Sequence, residues 1–180
     1  YLLYSGADPN RMDDKGWTPC FYTATAKIPY DEKIAMLKTL AKFKTNLWHE
    51  LPNHDNLFSL ILDTDDVDTL KYVISQKVKY NKPEDPINYA ARKGLKNACY
   101  FLIQNNYPKE TRDMRSYTPL MNAALNNHWE IVEMLLQAGA QSEYKESFTW
   151  TALDIATFFG FDMVAARILI HGGPIIHIIP

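Results

Sequence analysis

The residues best suited to chemistry fall in a few short clusters. Asp63-Thr64-Asp65-Asp66-Val67-Asp68 is the only dense acidic run. Alternating carboxylates are how a calcium loop begins, since a hard cation needs an all-oxygen shell. Here the loop's central glycine is missing, and Ile74 stands at the twelfth position, where a bidentate glutamate is required. Acids at the start of a helix, where they complement its dipole, account for the run better. His49-Glu50 and His54 look like halves of a hydrolytic zinc site. That chemistry needs histidines four apart on one helix face, whereas these are five apart with Pro52 between them. His128 reads as a loop residue held by a hydrogen bond. No phosphate-binding glycine loop, no Gly-x-Ser-x-Gly and no Cys-x-x-Cys occurs. Lys77, Lys79 and Lys82, with Arg92, Lys93 and Lys96, form a basic patch. It reads as a solvated face, with docking of an acidic segment or a phosphoinositide as the functional alternative. None of these clusters supports catalysis, so the expectation is no enzyme, no metal and no cofactor.

The elements that would carry these residues are set by a period. Ala90, Ala123 and Ala156 are spaced by 33 residues. The apolar pairs Leu102-Ile103, Leu135-Leu136 and Ile168-Leu169 keep the same step, and Thr118-Pro119-Leu120 becomes Thr151-Ala152-Leu153. A fixed period near this value marks a stacked repeat architecture. Thr118 and Thr151 suit helix N-caps, because a hydroxyl accepts from orphan backbone N–H groups. Pro119 loses no hydrogen bond at a first helical position, and Gly139 and Gly172 suit left-handed helix ends. From Thr23 to Ile61 the spacing is 38, which places five extra residues in a loop around Ile28-Pro29-Tyr30-Asp31. From Ile61 to Ala90 it is 29, a deficit that fits the stretch from Lys79 to Glu84.

The segment from Asp113 to Ala140, with Thr118-Pro119-Leu120, Ala123-Ala124 and Gly139-Ala140, resembles one complete ankyrin repeat. Gly16-Trp17-Thr18-Pro19 restates it, and Gly6-Ala7-Asp8-Pro9-Asn10 resembles the tail of another. The resemblance implies an all-α solenoid of helix–turn–helix pairs joined by β-turn fingers, about five repeats in one domain over 1–180. Units are expected near 1–12 (partial), 13–46, 47–79, 80–112, 113–145 and 146–178. Both ends fall inside a unit, which suggests a segment of a larger protein. It also implies that Asn10, eight residues after Leu2, is a candidate for asparaginyl hydroxylation.

Composition sets outer bounds. Net charge is −2 and 47% of residues are hydrophobic, enough for a continuous core and no argument for nucleic acid. No apolar run reaches membrane-spanning length, and no signal segment opens the chain. Cys20 and Cys99 fall at core-facing positions of different repeats. Unpaired thiols there favour a reducing, intracellular compartment.

The resemblance further implies that a partner protein or peptide lies in a concave groove of finger tips and first helices. Trp17, Tyr117 and Trp150 precede the capping threonines; Asp55 and Glu84 take that place in the degenerate units. Asp14, Lys15, Arg112, Met114, Arg115 and Phe148 are finger-tip positions, and Leu125, Asn126 and Phe158 close the first helices. The expected groove has apolar anchors at its ends and an acidic middle, suited to a peptide with basic residues between apolar ones. The leading reading is therefore a non-catalytic protein-interaction module. The alternatives are the recruiting part of a larger enzyme or ubiquitin-ligase adaptor, a secreted pathogen effector, or self-association through open solenoid ends.

Overall fold

The computed structural model of the chain describes residues 2–143 and 150–171. A 3-10 turn, Leu2–Ser5, precedes ten α-helices among these residues. They are α1 (Pro19–Thr25), α2 (Tyr30–Lys42), α3 (Leu57–Asp63), α4 (Val67–Ser75), α5 (Pro86–Lys93), α6 (Lys96–Gln104), α7 (Pro119–Leu125), α8 (Trp129–Gln137), α9 (Ala152–Phe158) and α10 (Asp162–Ile170). The fold is all-α, with one isolated β-bridge among the described residues, between Glu50 and Asn56. By packing, the chain divides into two compact units, Tyr1–Pro83 and Glu84–Pro180.

The second unit holds the regular repeats. Helices of seven to nine residues are too short to persist alone in water, so their stability comes from stacking. First helices α5, α7 and α9 pack in a row, as do second helices α6, α8 and α10. The alanines on the 33-residue step, Ala90, Ala123 and Ala156, are fully buried and let neighbouring backbones approach; Leu102, Leu135 and Ile168 fill the layer between pairs. Thr118 Oγ1 accepts from Met121 N (3.3 Å) and Thr151 Oγ1 from Asp154 N (3.1 Å), with Asp154 returning a bond to complete a capping box. Asp85 caps α5 through Ile87 N.

The links after these first helices turn on left-handed residues at one register: Gly94 (φ 77°), Asn127 (φ 59°) and Gly160 (φ 69°). At Gly94 the need is also steric. A Cβ there would lie 2.6 Å from the ring of His128. His128 thus packs over the preceding repeat, and its side chain makes no capping bond to α8. The expected loop hydrogen bond is replaced by a close approach that a glycine makes possible.

The first unit pairs α1 with α2 and α3 with α4, and stacks α1 on α3 and α2 on α4. Its repeats are irregular, and the structure corrects one reading of them. The five extra residues do not form a long loop. The link between α1 and α2 is 26–29, one residue longer than the 64–66 link, while α2 runs to 13 residues against nine in α4. The insertion adds a helical turn because Pro29, at the N-cap, leaves the chain free to wind from Tyr30 onward, and Tyr30–Lys42 is rich in helix-favouring residues. The added turn carries Lys33, whose buried ammonium reaches Asp66 Oδ2 at 2.7 Å. Asp66 also caps α4 through Thr69 N, so the acidic run is a helix start, as its sequence suggests. The four-residue deficit lies where the period puts it: 76–85 joins α4 to α5, against fourteen residues in 43–56, 105–118 and 138–151.

Candidate protein-interaction surface

Three fingers share one tight turn. The N–H groups of Asp13, Leu51 and Asp113 donate to the carbonyls of Trp17, Asp55 and Tyr117, and the closing residues Gly16, His54 and Ser116 are left-handed. In two of them an aspartate builds the turn. Asp13 Oδ1 accepts from Lys15 N and Trp17 N, and Asp113 Oδ1 from Arg115 N and Tyr117 N. The residues between are thereby left at the tip.

In the first unit that tip is Asp14 and Lys15, both exposed. Trp17 is half-buried, edge-on to Phe21 at 6.1 Å and tilted on Tyr22 at 5.0 Å. The Tyr22 hydroxyl donates to Asp13, which holds the Asp13 carboxyl below its ordinary value. His49 Nε2 lies 3.1 Å from the Gly16 carbonyl and His54 pairs with Glu50 at 2.6 Å, so neither histidine is set for a metal. Among the described residues no group of His, Cys, Asp and Glu is placed to hold one. Asn10 clamps the next finger, donating to Lys44 O and accepting from Asn46 N.

In the second unit the tip is Met114 and Arg115. Met114 is 93% exposed, the most exposed large apolar side chain among the described residues. Arg115 donates to Asp113 Oδ2 (3.0 Å) and to Asn122 Oδ1 (2.9 Å), with its guanidinium 5.1 Å from the Tyr117 ring centre. Burial pushes the Asp113 carboxyl up, but bonds from Tyr117 N, Asn122 and Arg115 outweigh it and leave it below the ordinary value. Asn122, fully buried, links on to Asn88 at 3.2 Å, and Asn88 donates to Thr111 O. Nearby, Arg92 holds Glu84 with a two-pronged pair, at 3.0 and 2.5 Å, and lies over Tyr89 at 5.2 Å. Glu84, Arg92, Asp113, Met114 and Arg115 line one open pocket of about 360 Å³. Arg112 is exposed beside it in sequence, Leu125 is half-buried, and exposed Asn126 donates to the Asn122 carbonyl.

The last repeat contributes an aromatic group. Trp150 and Phe158 meet edge-on at 4.6 Å, and Phe158 is 69% exposed. Phe159 stands edge-on to Phe158 at 5.1 Å, and Phe161 stacks on Phe159 at 5.8 Å. Phe148 lies outside the described residues. Sequence reasoning named Trp150 and Phe158 but missed Phe159 and Phe161; the run Phe158-Phe159-Gly160-Phe161 was the available signal.

Two charge readings change. Asp55 is paired with Lys82 at 2.6 Å and Glu84 with Arg92, so the expected acidic middle is neutralised. Half of the basic patch is engaged in the same way, Lys82 and Arg92 in these pairs and Lys96 on Glu130 at 2.5 Å. Cys20 and Cys99 are buried and form no disulfide, and burial pushes the Cys20 thiol up to about 12. No helix among the described residues is long and apolar enough to cross a membrane.

The family model described as ankyrin repeats (3 copies) matches residues 57–146 and 87–177. Among curated proteins, the chain is similar to human transient receptor potential cation channel subfamily A member 1, at 26% identity over 212 residues. That match covers 94% of this chain, which spans only 19% of the relative's length. Capped helix pairs on a 33-residue step, turn-tipped fingers and family matches over more than half of the sequence make this chain a member of the ankyrin-repeat family, whose repeats are protein–protein interaction modules.

Proposed function

We propose that the chain is a non-catalytic interaction module. Its second unit receives a partner protein or peptide on the face made by the Met114 finger tip, Trp150 and the end of α9. The observation that carries this reading is the exposure of Met114 and Phe158, at finger and first-helix positions where solvent alone would favour polar side chains. Aromatic and methionine side chains are the usual anchors of such contacts. Charge recognition is secondary, since the acids Asp55 and Glu84 are already paired. The test is proximity labelling by the native protein and by a Met114→Ala/Trp150→Ala/Phe158→Ala variant. Anchors of this kind contribute about 2 kcal/mol each, so the labelled set should be lost while thermal unfolding is unchanged. Retention of the same set by a folded triple variant removes the proposal.

A second reading follows from the length of the human relative. The repeats serve an effector carried outside these 180 residues, as the channel part would be in that protein. The mass of the native polypeptide, detected with an antibody raised to these residues, tests it. A native mass near 20.8 kDa excludes it.

A further inference from the structure

The pocket of Glu84, Arg92, Asp113, Met114 and Arg115 has an unequal distribution of hydrogen-bonding capacity. Its acids are turned inward. The Glu84 and Asp113 side chains are 19% and 6% exposed, and their oxygens are taken up by Arg92, Arg115, Asn122 and two backbone N–H groups. Its arginines are 31% and 51% exposed. Each uses Nε and Nη2 on its own acid, and Arg115 Nη2 donates to Asn122 as well. Among the described residues this leaves the Nη1 hydrogens of both, with one further Nη2–H on Arg92, for something else. The pocket therefore offers donors to a ligand and withholds acceptors, although its formal charge is balanced.

Both guanidiniums are also fixed before any ligand arrives. Each is held by a carboxylate on one edge and an aromatic ring on its face, Tyr89 for Arg92 and Tyr117 for Arg115. A planar fork held in place loses little freedom on engaging a carboxylate, which is what makes arginine effective at such sites. Burial of the supporting acids keeps water from competing for them. Met114, on the same wall, supplies an adaptable apolar contact.

We infer that this pocket is a carboxylate-recognition site. It takes an Asp or Glu side chain of the partner segment between Arg92 and Arg115, with a neighbouring apolar side chain of that segment on Met114. The inference rests on the proposed interaction face and reverses the polarity expected from sequence, where a basic peptide was anticipated.

The test follows the arginine Nε–H resonances of the 180-residue chain during titration with the capped peptide Gly-Leu-Glu-Leu-Gly. Its Gln counterpart, its phosphoserine counterpart and sodium acetate serve as controls. The Glu peptide should shift both signals saturably, and the Gln peptide should leave them in place. Losing charge-assisted bonds should weaken binding about tenfold or more. Arg115→Lys keeps the charge but not the fixed Nη1 donors and should show that loss; Met114→Ala should weaken the Glu peptide and leave acetate unaffected. Equal shifts by the Glu and Gln peptides, stronger binding of the phosphoserine peptide, or acetate matching the peptide would each overturn the inference. Partner labelling separates the two proposals. If Arg92→Lys/Arg115→Lys keeps the partners that the apolar triple variant loses, the interaction face stands and the carboxylate site falls.

Discussion

The two units solve one packing problem with different materials. In the second, sequence regularity does the work. Threonines or an aspartate cap each first helix, alanines recur on a strict step, and a glycine lets His128 settle on its neighbour. In the first, the step is broken by an insertion, and polar ties between particular side chains hold the repeats in place. Lys33 reaches Asp66 and Asn10 clamps the next finger, whereas the Asn56 bond to Lys79 O is common to both units, recurring as Asn88 to Thr111 O. A repeat can therefore drift from its pattern where specific hydrogen bonds take over from generic fit. Such a unit should be the more sensitive to single polar substitutions and to acid.

The strongest way to break this contrast is Asp66→Ala. It removes the cap of α4 and strands the Lys33 ammonium in a site that is almost fully buried. The expected cost is about 3 kcal/mol, read as a lower urea midpoint. Lys33→Met/Asp66→Asn should recover most of it, because Asn still caps and no charge is buried. A double variant as unstable as Asp66→Ala would mean that the ion pair is not what holds this unit. The pH dependence follows from the same carboxylate. Burial pushes Asp66 up, but bonds from Lys33 and Thr69 outweigh it and leave it below its ordinary 3.8. A depressed carboxylate contributes its full stability above the unfolded value and loses it as pH falls through the folded one. The native chain should thus lose more stability than the double variant on acidification below about pH 4, as followed by urea midpoints.

Next in size is Gly94→Ala in the second unit, expected at about 2 kcal/mol from its left-handed backbone and the collision with His128. His128→Ala in the same background should return the steric share and leave the backbone share. No recovery would show that the ring contact carries no weight. The smallest effect is the most discriminating. Thr18 and Thr118 occupy the same capping register, but Thr118 Oγ1 accepts from Met121 N while Thr18 Oγ1 is buried without a partner. Thr118→Val should cost about 1 kcal/mol and Thr18→Val nothing, or a slight gain, by calorimetry. Equal losses would erase the difference between the units at this position.

Much of the scaffold was legible because repeats carry a ruler. Ala90, Ala123 and Ala156 on one step are all buried, and the missing four residues fall in the 76–85 connection. The ruler measures lengths but does not assign conformations, so Tyr30 and Asp31 read as loop when they begin a helix behind Pro29. The surface was legible by position only. Counting back from the caps finds Trp17, Tyr117 and Trp150, but the neutralisation of Asp55 and Glu84 depends on Lys82 and Arg92, 27 and 8 residues away. No local pattern fixes such pairs, since they form only when the finger and the helices close on each other.

The two cysteines give the comparison an internal clock. Cys20 sits in one unit and Cys99 in the other, each fully buried and outside any disulfide. A shielded thiol reacts with an alkylating agent only when its surroundings open. The native chain thus carries one latent label per unit, and mass spectrometry of timed alkylation would time the opening of each half separately, with no substitution introduced.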